Sequence, residues 1–220
     1  TSIAALGVQR VAEALRDNLL VLASQHSGVP VDECQLADEC VVCGQTSIPL
    51  RQLYAEAPLH DALQVSRKVY GSPRSTSFLA HGFRIAVHRV TGQIRILQSV
   101  HAYDAGTIIN PLQARGQVQG AVAQGIGTTL FERMVIDEQG AVVNPEFRNY
   151  RIPAFADIPR SEVFFADTFD RLGPLGAKPL GEAPIIPVAP ALSNALADAT
   201  GIRFESLPLS ADRIYARLEA

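Results

Sequence analysis

The sequence predicts an α+β fold, with mixed α/β layers, and three observations carry that prediction. A long N-terminal stretch repeats apolar residues at helical steps. Two β-rich runs in the middle are separated by a short turn. A small-residue helix near the C-terminus closes on a glycine. Helices alternating with hairpins are packed most simply as helix layers on sheet. No linker is long enough to divide the chain, so residues 1–220 are read as a single domain.

From Ile3 to about His26, Leu6, Val8, Val11, Leu15, Leu19 and Leu22 fall mostly three or four residues apart, with Arg10, Glu13, Arg16 and Asp17 between them. Gly28 and Pro30 end this helix. Val29 to Ile48 reads as two short strands around Gly44-Gln45, and Pro49 to Glu56 as a short helix with Pro in its first turn. Ser77–Val90 and Gln93–Ala102 form the clearest hairpin, with Thr91-Gly92 as its turn. Asp104-Ala-Gly106 breaks the second strand. Asn110 then caps, and Pro111 opens, a helix expected to reach about Met134. Asp137-Glu-Gln-Gly140 marks another hairpin, Asn144–Pro159 is irregular, and Glu162–Asp167 is a strand. Leu172–Pro184 is a loop. Pro187 to about Thr200 is a buried helix closed by Gly201, and Ser210 caps a last amphipathic helix.

Composition excludes several functions. A net charge of -3 and a pI near 5.9 lack the basic excess of a broad nucleic-acid surface. The apolar runs are short and broken by proline, so no membrane span is expected. No signal peptide is visible at Thr1, and a cytoplasmic location is expected, with the periplasm as the alternative. Cys40-Val-Val-Cys43 has redox or metal-ligand spacing, but Cys34 is the only other cysteine, too few for a four-cysteine site. The cysteines are read as small buried hydrophobes, and their odd number argues against a secreted disulfide scaffold. The five histidines show no metal-ligand spacing on one helix and are read as structural or surface residues, with His88 and His101 on neighbouring strands. A hydrolase elbow Gly-x-Ser-x-Gly and a dinucleotide Gly-x-Gly-x-x-Gly after a strand are both missing.

Two segments stand out as chemistry. The turn Gly181-Glu-Ala-Pro184 presents a carboxylate beside a run of small apolar residues. Taken alone, an acid there offsets a helix dipole. Ile185, Ile186 and Val188 around it predict an apolar setting that lifts a carboxylate toward the range of a general base. The second segment, Arg115-Gly-Gln-Val-Gln-Gly-Ala-Val-Ala-Gln-Gly-Ile-Gly127, carries Gln117, Gln119 and Gln124. Each helix glycine costs about 1 kcal/mol relative to Ala, so Gly116, Gly120 and Gly127 mark close approach of a backbone or a ligand. Gln117 sits beside Gly116, where its amide can donate to and accept from a pterin or phosphate ester.

In order along the chain, His88-Arg-Val-Thr-Gly-Gln-Ile-Arg95, Asp104-Ala-Gly-Thr-Ile-Ile-Asn-Pro111, Gly116–Gly127, Tyr150-Arg-Ile-Pro-Ala-Phe155 and Gly181-Glu-Ala-Pro184 resemble the C-terminal part of the molybdopterin-binding large subunit of the xanthine dehydrogenase/aldehyde oxidase family. Thr1–Ala14 resembles the segment just before, where a Ser/Thr turn meets the pterin. The resemblance implies a C-terminal molybdenum-cofactor-binding domain of a larger subunit. It implies Glu182 as catalytic base, with Gln117, Gly116, Gly181, Thr1 and Ser2 at the cofactor and the molybdenum held through the pterin alone. It implies a molybdenum-dependent oxidoreductase that hydroxylates an electron-poor carbon of an aldehyde or N-heterocycle, inactive as an isolated fragment. Partners implied are the remaining N-terminal half of the subunit, iron–sulfur and FAD domains or subunits, and a small-molecule substrate, with no nucleic acid and no membrane. The alternatives are a non-catalytic scaffold and a small-ligand binding module derived from the same family.

Overall fold

The structure, a computed structural model, describes residues 2–56, 63–70 and 75–219. It divides into two compact units, Thr1–Pro73 and Arg74–Ala220, at a place where the sequence shows no linker. Among the described residues no helix is long and apolar enough to cross a membrane.

The first unit packs helix α1 (Ser2–Ser27) on an antiparallel meander of β1 (Cys34–Ala37), β2 (Cys40–Cys43) and β3 (Thr46–Pro49), followed by helix α2 (Leu50–Glu56). Three strands stand where the sequence suggested two, because Asp38-Glu39 adds a second tight turn to the one at Gly44-Gln45. Pro49 ends β3 rather than opening α2. Leu19, Ala23, Val41, Ile48 and Leu53 form the core, while Val8, expected on the buried stripe, is exposed. The cysteine reading is corrected here. Cys40 and Cys43 lie three apart on one strand, so their side chains point to opposite faces. Cys43 instead stands opposite Cys34 in the β1–β2 register, and these two form a disulfide, leaving Cys40 free.

The second unit holds a three-stranded sheet in the order β4 (Phe78–Val87), β5 (Ile94–Asp104) and β6 (Ser161–Phe165). β4 and β5 are antiparallel, joined by the loop 88–93, which is longer than the two-residue turn expected. β6 runs parallel to β5, with Ser161 opposite Ser99. Helices α3 (Pro111–Leu130) and α4 (Val188–Thr200) cover one face, and α5 (Ala211–Leu218) closes the unit. Tyr103, Val118, Val122, Ile126, Val163, Val188, Leu192, Leu196 and Ile214 form the core, and Leu79, Phe83, Ile85 and Ile96 pack against it. The mixed helix and sheet layers are those the sequence predicts.

A bulge in β5 decides which residues reach that core. The register steps from Arg84↔Gln98 to Ile85↔Ile96, leaving Leu97 as the extra residue. One extra residue reverses the strand's facing. Ile94 and Ile96 point inward before it, and Ser99, His101 and Tyr103 point inward after it. The alternation visible at the start of this strand in the sequence breaks down for that reason.

α3 begins as expected: the Asn110 side chain accepts from the backbone N–H of Gln113 at 3.0 Å, with Pro111 in the first turn. It ends at Leu130, short of Met134, because Phe131 leaves helical geometry at φ -127°. α4 closes on Gly201 in the left-handed region, φ 74°. Ser210 stands at the start of α5 without a side-chain capping bond.

The glycines of α3 divide into two kinds. A Cβ on Gly125 would sit 2.6 Å from Val188 Cβ, so this glycine lets α4 pack directly on α3. Gly125→Ala is expected to destabilise the unit by about 1–3 kcal/mol through overpacking, despite alanine's better helix propensity. A urea midpoint unchanged from the parent would refute this account of the contact. A Cβ on Gly116 or Gly120 would meet nothing within 4 Å. Among the described residues nothing packs against those two.

Candidate functional site

Two of the residues singled out from the sequence, Gln117 and Gly181, meet at the N-terminal half of α3. Gln117 Nε2 donates to the carbonyl oxygen of Gly181 at 3.1 Å, which ties the glycine-stepped helix to the acid turn across 64 residues of sequence. One N–H and the amide oxygen of Gln117 remain for another group. Gln119 and Gln124 are exposed. Gly181 has φ 45°, a left-handed conformation open to glycine at little penalty. Thr1 lies outside the described residues, and Ser2 opens α1 in the first unit.

Glu182 follows Gly181 and stands before the short 3₁₀ turn Ala183–Ile185. Its side chain makes no capping bond to that turn, and α4 starts only at Val188, so helix capping does not account for an acid here. Among the described residues the expected apolar enclosure is not built. Glu182 is exposed, Ile186 is exposed, and Val188 is buried against Gly125 instead.

The loop carrying Glu182 lacks regular structure, so its backbone groups need partners from elsewhere. Lys178 N–H donates to the Ala105 carbonyl at 2.8 Å, and Thr107 N–H donates to Gly176 O at 2.9 Å. Lys178 Nζ meets Asp104 Oδ2 at 2.6 Å, both side chains largely buried. The Lys178 ammonium and the Thr168 hydroxyl hold the Asp104 carboxyl below the usual range. The Tyr103 hydroxyl, from a residue only 1% exposed, donates to Pro179 O at 2.8 Å and Leu180 O at 3.3 Å. Ser77 Oγ also donates to Pro179 O, at 3.0 Å. Tyr103, Asp104 and Lys178 were not singled out from the sequence. The sequence hinted at them only in that Asp104 opens the segment Asp104–Pro111 and Lys178 stands three residues before Gly181.

His88 lies just past the end of β4, and the histidine that neighbours His101 across the strands is another one. His81, not His88, stands opposite His101 in the register. Their Nδ1 atoms are 3.1 Å apart, His81 Nε2 lies 3.0 Å from Ser99 Oγ, and Ser161 Oγ donates to Ser99 Oγ at 3.0 Å. His101 is fully buried, and among the described residues its Nε2 has no hydrogen-bond partner. Burial, and for His81 also the neighbouring His101, pushes both rings toward the neutral form, His81 to about 4.

The helix thus leaves two positions, Gly116 and Gly120, without a Cβ next to a tethered amide, and among the described residues no side-chain partner holds the acid of the glycine turn. The chain belongs to the molybdopterin cofactor-binding domain family, whose model matches residues 1–159. Gly116 and Gln117 lie within that match, and Gly181 and Glu182 lie beyond it. The chain is 33% identical over 195 residues to the aldehyde oxidoreductase molybdenum-binding subunit PaoC of Escherichia coli K12, covering 87% of this chain and 26% of that protein. It is 43% identical over 124 residues to the putative xanthine dehydrogenase molybdenum-binding subunit XdhA of the same organism, covering 56% of this chain and 16% of that one. It thus spans about a quarter or less of the length of these curated relatives. Quinoline 2-oxidoreductase from Pseudomonas putida 86 shares the fold at a TM-score of 0.87 and 26% identity, over 99% of this chain and 30% of that one.

Proposed function

We propose that this chain is the cofactor-holding C-terminal part of a molybdenum hydroxylase acting on an aldehyde or an N-heterocycle. The observation that carries the reading is the Gln117–Gly181 hydrogen bond, which joins the candidate cofactor face to the candidate base. The residues fit the group. Gly116 and Gly120 leave open space on the helix face, and Gln117 keeps a donor and an acceptor for a pterin or phosphate ester. Gly181 keeps the turn free of a side chain beside them. When bound, the molybdenum cofactor supplies the two-electron oxidation. Glu182, unpaired and exposed on its turn, takes up the proton released as oxygen is delivered to the substrate carbon. Gln117 orients the cofactor edge and fixes the turn at the same time.

The remainder of the large subunit is the proposed cover for this site, with iron–sulfur and FAD domains or subunits carrying electrons onward. Large apolar side chains support such a cover: Leu112, on the site helix, is 81% exposed, Phe147 81% and Phe155 98%. Exposed apolar groups of this size are a signature of an interaction face.

Gly116→Ala separates ligand approach from internal packing. In the isolated chain the added methyl meets none of the described residues within 4 Å, so the substitution is expected to stabilise by up to about 1 kcal/mol. In the complete subunit it is expected to lower pterin and molybdenum retention. Thermal melts of the chain and metal analysis of the purified enzyme check the two halves. Full molybdenum content in the Gly116→Ala enzyme would remove this helix face from the cofactor site.

A further inference from the structure

We propose that Tyr103 is a positioning residue that sets the place of the Glu182 carboxylate by holding the carbonyls of the two residues before Gly181. The inference rests on the reading of Glu182 as the base. Three successive carbonyl oxygens, those of Pro179, Leu180 and Gly181, each accept a bond from a side chain on another element. Tyr103 reaches the first two from β5, Ser77 also reaches the first, and Gln117 reaches the third from α3. Glu182 is the next residue, so its Cα hangs from a backbone pinned at every preceding peptide of the turn.

Tyr103 is the buried member of this set. Ser77, half-buried, and Gln117, exposed, make bonds open to solvent, where water is a ready substitute. Tyr103 is 1% exposed, so its hydroxyl reaches the two carbonyls from inside the core. Burial also pushes the phenol up, which keeps it a donor throughout the working range. Its inward direction follows from the bulge at Leu97; without that extra residue Tyr103 would face outward and Ala102 would take its place opposite Leu79. Asp104, next in sequence and on the opposite face, grips Lys178 at the start of the same turn. Consecutive β5 residues therefore hold the turn from both faces of the strand.

The Leu180 carbonyl offers a reporter, because it also accepts from the Ala183 N–H at 3.2 Å. Loss of the phenol hydroxyl loosens Leu180 and exposes that amide. Tyr103→Phe keeps the ring and its packing, so the unit stays folded. Hydrogen–deuterium exchange of the peptide spanning residues 178–186 is measured in the chain alone and should quicken severalfold, while β4 and β5 stay protected. In the complete enzyme kcat should fall about 10- to 100-fold, the range a misplaced group costs. KM, molybdenum content and the pH at which the basic limb turns should not move. A residue that merely packed in the core would leave both the exchange at 178–186 and kcat unchanged in Tyr103→Phe.

Unchanged exchange at 178–186 overturns the proposal whatever the enzyme does. Quickened exchange with an unchanged kcat overturns it too, provided Glu182→Gln is inactive in the same background. If Glu182→Gln is fully active, the base reading has failed instead. The exchange result alone then decides whether Tyr103 holds the turn.

Discussion

Glu182→Gln in the complete enzyme is expected to lower turnover per molybdenum by about 10²–10⁴, the usual worth of a positioned general base. Glutamine keeps the volume and the bonding reach of glutamate but cannot take up the proton. Cofactor content should stay near that of the parent, because Glu182 is proposed as base and not as ligand. Stability should stay within about 0.5 kcal/mol, since Glu182 is exposed and caps no helix. Steady-state rates normalised to molybdenum, read beside thermal melts, separate the two effects. Full turnover per molybdenum would leave the acid without a chemical role.

The second large effect is acid lability of the β4–β5–β6 unit. The 3.1 Å separation of the His81 and His101 Nδ1 atoms admits one proton between them, so the folded pair is held by one donor and one acceptor. His81 is pushed down to about 4 and His101 is pushed down as well. In the unfolded chain both take protons near pH 6.5. Between pH 6.5 and about 4 the unfolded state therefore binds more protons, and stability falls as the pH falls. The contribution is fully present above 6.5. For His81 alone the loss by pH 4 is on the order of 3 kcal/mol. Urea midpoints between pH 7 and 4.5 should drop steeply for the parent chain. The double variant His81→Gln, His101→Gln, which cannot titrate there, should show a much flatter profile. An equally steep drop in that variant would assign the acid lability to other groups.

Local chemistry made much of this protein legible from its residues alone. Asn110-Pro111 starts α3 because an amide cap and a fixed proline φ work within four residues. Gly201 ends α4 because only a left-handed residue closes that helix readily. The ordered segments from His88 to Pro184 carried the family, and Gln117 and the Gly181–Glu182 turn were visible as candidates for the same reason. These features depend on short stretches whose energetics are settled by near neighbours.

Tertiary structure decided what depends on register and on approach between distant segments. The bulge at Leu97 turns His101 and Tyr103 inward, and one inserted residue leaves no composition signal to announce that reversal. Pairing across β1 and β2 sets Cys43 against Cys34, while the Cys-x-x-Cys spacing drew attention to residues on opposite faces of one strand. Gly125 and Gly116 look alike in the sequence, yet one receives Val188 and the other faces open space. The bonds from Tyr103 and Gln117 to successive carbonyls of the acid turn span more than 60 residues. A carbonyl left over by an irregular loop takes whichever donor the packed sheet and helix bring to it, and only the assembled layers determine which donor that is.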